Sequence, residues 1–159
     1  MLFRSKGQAF APDFLASIVI MGFMLSIFLI SWNSIVNAQI ADQRDRNLYT
    51  QGERTMKSIL NRPGVPEDWN SSNVETLGLT SEPYVLEPEK IEEFEKLDFQ
   101  RQRSLLKASG FNLEIVGEDV LYSIGQDPDS DQVFSFRRNA LINRSGDLNH
   151  VEVRYAVWR

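Results

Sequence analysis

The sequence contains no cysteine and only one histidine, His150. The lack of cysteine excludes disulfide bonds, thiolate metal ligands and cysteine nucleophiles, and a single histidine cannot build a multi-histidine metal site. Gly-rich phosphate-binding motifs and the GxSxG turn of hydrolases are also missing from the 159 residues. We therefore predict that the protein is not an enzyme and binds no cofactor.

Basic residues are in the minority, with 17 Lys and Arg against 22 Asp and Glu. Binding to nucleic acid depends on neutralising phosphates with basic side chains. The acidic balance therefore predicts no nucleic-acid partner.

Charged side chains are absent from a long apolar run, Phe14 to Trp32. Its only polar side chains are three serines: Ser17, Ser26 and Ser31. A helix needs about 20 mainly apolar residues to cross a bilayer, and a soluble helix of that length would show a polar stripe. The run therefore predicts one membrane-spanning helix.

The cations Arg4 and Lys6 precede this run, but basic residues also follow it. The positive-inside rule therefore favours a cytoplasmic N-terminus only weakly. Because the sequence shows no second span, we expect residues after the helix to lie on one side of the membrane, outside the cell.

Three fates of the apolar run Phe14 to Trp32 are open: a cleaved signal peptide, an uncleaved anchor, or a helix that is kept after a short leader is removed. A conventional signal peptide would be cut before Gln39, after Val36-Asn37-Ala38, but its apolar core would be about 7–15 residues, shorter than this run. An uncleaved anchor would begin its helix at Pro12-Asp13, where proline fits the first turn and the acid complements the helix dipole.

The third fate rests on the stretch "RSKGQAF". A short basic leader ending in Lys6-Gly7, with Gln8 and then the apolar helix directly after it, resembles the class III signal peptide of archaeal type IV pilin-like proteins. The resemblance implies that a prepilin peptidase cuts between Gly7 and Gln8. The apolar helix would then stay on the mature protein and contact other pilin-like subunits.

Two later stretches extend the resemblance. "NRPGVPEDWNSSNVETLGLTSEPYVLEPEKIEEF" is similar to a pattern in the ectodomains of these proteins, in the following positions: Pro63-Gly64, Pro66, Trp69, Leu77-Gly78-Leu79 and Lys90. "VFSFRRNALINRSGDLNHVEVRYAVW" resembles their closing pair of strands.

Many pilins carry an acid at the fifth residue after the cut, whereas here that place is Pro12 and the acid is Asp13. A carboxylate at mid-membrane costs about 2.5–3.5 kcal/mol. We expect Asp13 to pair with the free amine of Gln8 of a neighbouring subunit; the alternative is an ordinary helix-start acid at the headgroups. Gly22 and Ser26 form a small-xxx-small pair that would admit a neighbouring helix.

After the apolar run, spaced apolar residues predict an amphipathic continuation of the helix, which Pro63-Gly64 stops near Leu60. The predicted members of this face are Ile35, Val36, Ile40, Leu48, Met56, Ile59 and Leu60. Gly52 is the weak point of the helix, at about 1 kcal/mol relative to Ala. The predicted division is a leader (1–7), an apolar helix (8–33), its amphipathic continuation (34–61) and a head (62–159).

The head is predicted to be α+β, with one or two short helices between Pro88 and Gly110. The C-terminal third alternates apolar and polar residues over four segments, "FNLEIV", "DVLYSI", "QVFSFRRNALI" and "HVEVRYAVW". They predict an antiparallel meander of about four strands, with a turn at Ser145-Gly146-Asp147. Its inward face is predicted to comprise Phe134, Phe136, Val151, Val153, Tyr155 and Val157.

Two smaller motifs remain. The acids in Asp127–Asp131 imitate the start of a calcium loop, but Gln132 and Arg138 stand where an EF-hand needs Gly and Glu; we favour a plain acidic loop over a looser calcium site. Asn70-Ser71-Ser72 and Asn143-Arg144-Ser145 are possible glycosylation triplets.

Together these features predict a cell-membrane protein with a single span and an outside head. By resemblance it would be a pilin-like subunit of an archaeal type IV pilus-like surface filament, acting in assembly and adhesion. The proline in place of the usual acid at Pro12 weakens the case for a major subunit. The alternative is a singly anchored extracellular binding module that does not polymerise.

Overall fold

The computed structural model describes residues 10–159, apart from the side chains of residues 10, 11 and 120. The chain forms two compact units, Met1–Asp45 and Arg46–Arg159. The helices are α1 (Phe10–Asn61), α2 (Pro88–Glu95) and α3 (Phe99–Leu106). The strands are β1 (Thr80–Glu82), β2 (Val85–Leu86), β3 (Gly110–Val116), β4 (Val120–Gly125), β5 (Val133–Arg144) and β6 (Asp147–Trp158).

The first unit holds the apolar part of α1. Its large apolar side chains from Phe14 to Trp32 are 51–71% exposed. Among the described residues, α1 is the one helix long and apolar enough to cross a membrane, with a mean hydropathy of 2.5 in its most apolar window. The sequence prediction of such a helix is confirmed.

The second unit is built on one sheet of six strands in the order β1-β2-β5-β6-β3-β4. The coarse α+β class is confirmed, but the prediction of an antiparallel meander of about four strands is wrong. The two additional strands are three and two residues long, too short to show an alternating pattern. β2 also runs parallel to β5, and β3 pairs with β6, a neighbour that hydrophobic alternation does not specify.

The inner face of the sheet packs against the C-terminal part of α1, which buries Leu48, Met56, Ile59 and Leu60. The predicted inward residues of β6 and Phe136 are buried as well, while Phe134 is half-buried against this core. α2 and α3 add Ile91, Phe94 and Leu106 to it. In contrast, Ile35 and Ile40 in the first unit are 56% and 41% exposed, so the buried face of α1 begins at Leu48.

Local signals explain where the short elements begin and end. α2 opens on Pro88, as predicted. The side chain of Asp98 caps α3 by accepting a hydrogen bond from the Arg101 N–H at 3.0 Å. α3 ends before the predicted Gly110, because Lys107 adopts the left-handed conformation that terminates helices.

The hairpin between β5 and β6 turns through Ser145 and Gly146, which have φ of 55° and 97°. Two central residues with positive φ match the twist of the flanking strands. The predicted turn is confirmed.

Candidate functional site: the apolar helix and the head

Two of the three serine hydroxyls in the apolar segment of α1 are bonded within the helix. Ser17 Oγ donates to the carbonyl of Asp13, and Ser26 Oγ donates to the carbonyl of Gly22, each at 2.8 Å. In hydrocarbon, an unsatisfied polar group costs several kcal/mol. These two hydroxyls therefore add no unsatisfied donor to a lipid-facing surface.

Gly22 and Ser26 lie one turn apart on this segment. A Cβ atom built on Gly22 would meet nothing within 4 Å, so no packing within the described chain requires glycine there. A small pair of this kind lets a second helix approach closely. One end of the apolar run carries Trp32, stacked on Phe28 with ring centroids 6.1 Å apart, as suits an interfacial aromatic.

Asp13 lies in the first turn of α1 and is exposed. A carboxylate there complements the positive end of the helix dipole. The processing residues Lys6, Gly7 and Gln8 lie outside the described residues. The pairing of Asp13 with the amine of Gln8 in a neighbour remains a prediction.

In the head, a buried lysine joins the loop after α1 to α2. Lys90 is 8% exposed. Its ammonium group donates to the carbonyls of Pro63 at 2.9 Å and Thr80 at 3.1 Å, and lies 3.1 Å from the carboxylate of Glu87. An ammonium group has three donors, and all three are directed at these partners.

Trp69 completes this polar cluster. Its indole N–H donates to the carbonyls of Pro63 at 3.0 Å and Gly78 at 2.9 Å. The Pro63 carbonyl thus accepts from both Trp69 and Lys90. A Cβ on Gly78 would lie 2.7 Å from the carbonyl carbon of Arg62, so only glycine allows the backbone to come this close.

The chain following Gly78 also caps the C-terminus of α1. The N–H groups of Leu79 and Tyr84 donate to the carbonyls of Ile59 and Leu60, at 3.1 and 2.7 Å. The last carbonyls of a helix lack partners within it, and the head supplies them. The helix end is thereby fixed to the sheet.

These contacts show what the middle stretch does. Pro63-Gly64, Trp69, Leu77-Gly78-Leu79 and Lys90 all converge at the end of α1, and their buried polar groups are satisfied within the fold. Sequence reasoning named these residues but missed this arrangement. The available signal was a lysine at an inward position of an amphipathic helix, next to buried Ile91.

The acidic segment Asp127–Asp131 connects β4 to β5. The carboxylate of Asp129 accepts a hydrogen bond from the indole N–H of Trp158 at 2.7 Å. Within the described part of the chain, no group of three or more His, Asp or Glu side chains is arranged to hold a metal ion. The segment thus anchors Trp158, as a structural loop does.

The two possible glycosylation asparagines are both exposed but differ in their surroundings. The side-chain oxygen of Asn70 accepts from the Ser72 N–H at 2.8 Å, and the Ser71 N–H donates to Glu93 at 2.8 Å. Asn143 lies beside the β5–β6 turn and accepts from the Gly146 N–H at 3.0 Å. The first triplet is held by α2, whereas the second lies at a hairpin end.

Comparison of the chain with protein-family models, with curated proteins and with solved structures finds no match.

Proposed function

We propose that this protein is a pilin-like cell-surface subunit, anchored by α1 in the membrane before assembly and packed through the same helix against other subunits in a filament. The observation that carries the proposal is the exposure of the apolar residues of α1. From Phe14 to Trp32 each large apolar side chain is at least 51% exposed. Such a surface requires lipid or other apolar helices around it.

The head supports a function in contacts with other molecules and not in catalysis. Its core lies entirely within Arg46–Arg159, so it needs nothing from the apolar segment to bury its own hydrophobic side chains. Its buried Lys90 and Trp69 are engaged in structural hydrogen bonds. A stable head on an apolar helix suits assembly and adhesion.

The N-terminus of the mature protein, isolated from its native membrane, tests the proposal. Intact mass and terminal sequencing should give a chain beginning at Gln8. A chain beginning at Gln39 would be a secreted soluble domain, and one beginning at Met1 a plain anchor. Either result would contradict a processed filament subunit.

A further inference from the structure

The outer face of the sheet, opposite the buried side chains of Phe136 and Tyr155, carries a small polar cavity of about 240 Å³. Its residues come from three central strands and from the β4–β5 connection, which contributes Asp127 and Pro128. The volume is below the range of about 300–1,000 Å³ typical of sites for drug-sized ligands. Only a small molecule or one unit of a larger one fits.

A row of small and medium side chains lines the cavity. Ser135 of β5, Ala156 of β6 and Asn112 of β3 are direct cross-strand partners. Neighbouring strands lie about 4.8 Å apart, so the row spans about 10 Å. This width accommodates a single six-membered ring.

The next row along the strands is charged. Arg137 and Arg154 lie directly opposite each other on β5 and β6, with Glu114 on β3 beside Arg154. Like charges in this position destabilise a sheet. The charge of Arg154 is compensated by two carboxylates. Its guanidinium donates a hydrogen bond to Glu152 and lies 3.9 Å from the carboxylate of Glu114.

Arg137 is exposed, and the carboxylate of Glu152 acts on it electrostatically. Its guanidinium makes no hydrogen bond or ion pair with any residue that the structure describes. The same holds, within residues 10–159, for the side chains of Asn112, Ser135 and Asp127. These side chains thus converge here without hydrogen bonds to other described residues, in contrast to the satisfied cluster around Lys90.

The chemistry of these groups defines the ligand class. The two arginines that line the cavity are balanced by Glu114 and Asp127, so neither an anion nor a cation is favoured by charge. Each hydroxyl of a sugar can donate to a carboxylate and accept from a guanidinium or amide N–H. We propose that the cavity binds one neutral sugar residue, with Arg137 and Asp127 engaging adjacent hydroxyls.

This inference names a ligand for the adhesive head of the proposed function. Binding itself does not require filament assembly or processing at Gln8. The cavity can therefore be tested on purified full-length protein, and its failure would leave the result of N-terminal sequencing unchanged.

The test is a titration of ¹⁵N-labelled full-length protein in lauryldimethylamine oxide micelles, a detergent without sugar. The probes are the methyl glycosides of glucose, galactose and mannose, N-acetylglucosamine, and glucuronate as a charged analogue. We expect at least one neutral sugar to shift the amide resonances of Asn112, Ser135 and Ala156, with a dissociation constant of about 1–10 mM, at the weak end of specific binding.

The decisive variants are neighbours in sequence. Arg137→Ala should weaken sugar binding about tenfold, which corresponds to about 1.4 kcal/mol. Arg138→Ala is the matched control, because Arg138 pairs with Val153 on the opposite face of the sheet and acts electrostatically on Glu53 of α1. It should leave the affinity unchanged within about twofold.

Three results would overturn the inference. The first is that none of the neutral sugars shifts these resonances. The second is that only glucuronate binds, which would make the cavity a carboxylate site. The third is that Arg138→Ala weakens binding as much as Arg137→Ala.

Discussion

The ring of Phe136 lies directly against the backbone of Gly52. A Cβ atom built on Gly52 would overlap Cε2 of that ring and lie 2.8 Å from Cζ and 3.0 Å from a methyl group of Val157. A glycine that is unfavourable for helix propensity is thus a point of close approach between α1 and the sheet. Its cost as a helix residue is offset by the aromatic packing it permits.

Substitution of Gly52 by Ala should destabilise the head. Ala favours a helix by about 1 kcal/mol over Gly, but overpacking a core costs about 1–3 kcal/mol. Urea unfolding of the full chain in micelles, followed by tryptophan fluorescence, measures the difference. Gly22→Ala is the control, since a Cβ there meets open space, and Phe136→Leu should partly restore Gly52→Ala. A Gly52→Ala protein as stable as wild type would show that the ring moves aside freely.

Replacement of Lys90 by Met should lower the free energy of unfolding by about 1–3 kcal/mol, because the carbonyl of Thr80 loses the Lys90 donor, whereas that of Pro63 keeps the Trp69 donor. Lys96→Met is the matched control on the end of the same helix. Lys96 is 61% exposed and pairs with Glu93 at 2.6 Å, and exposed pairs contribute about 0–1 kcal/mol. Thermal unfolding compares the two. Equal effects would argue against a structural role for Lys90.

The stability of the head should fall in acid partly through Glu93. Hydrogen bonds from Lys96 and from Ser71 lower the pKa of Glu93 from 4.5 to about 2. A lowered folded-state pKa stabilises the protein above the unfolded pKa, and this stabilisation is lost as the pH falls from about 4.5 to about 2. Glu93→Gln should therefore be less stable at pH 7 and lose less stability across that window.

The control for this prediction is Glu92→Gln, an exposed neighbour on α2. Glu92→Gln should lower the free energy of unfolding at pH 7 less than Glu93→Gln does. If Glu93→Gln and wild type show parallel curves between pH 7 and pH 2, the hydrogen bonds of Glu93 with Lys96 and Ser71 do not persist in solution.

Asp13→Ala should reduce incorporation into surface filaments while leaving the protein in the membrane. The reason is the cost of a charged group near hydrocarbon, which a neighbouring amine would offset only in the assembled state. Immunoblots of sheared filaments and of membranes measure the two pools. Ser17→Ala, which removes only a hydroxyl bonded to the Asp13 carbonyl, is the control. Wild-type incorporation of Asp13→Ala would refute the pairing.

Sequence reasoning found the elements whose pattern is local. The apolar run, the short helices between Pro88 and Gly110, and the long strands of the C-terminal third have local sequence patterns. It failed on the order of the strands, because the pairing of β3 with β6 depends on packing across the whole head. It also failed on β2, whose two residues carry no period.

The candidate sites likewise divide into those that the sequence reveals locally and those that depend on the fold. Asp13, Gly22 and Ser26 are visible in sequence because each stands out against an apolar run. The cavity at Arg137 is not, since Asn112, Ser135 and Ala156 become neighbours only through cross-strand register. Gly52 was recognised as unfavourable for a helix, but its reason lies in a ring 84 positions further along the chain.

The position of β6 between β5 and β3 has a consequence for biosynthesis. β6 follows every other strand of the sheet in chain order, yet it makes the central pairings of the sheet. Until its residues have left the ribosome, β3 and β5 expose unpaired backbone edges that invite aggregation. The complete sheet therefore forms only after synthesis of β6, and a translation product interrupted before Asp147 would leave one edge of β3 and one edge of β5 unpaired.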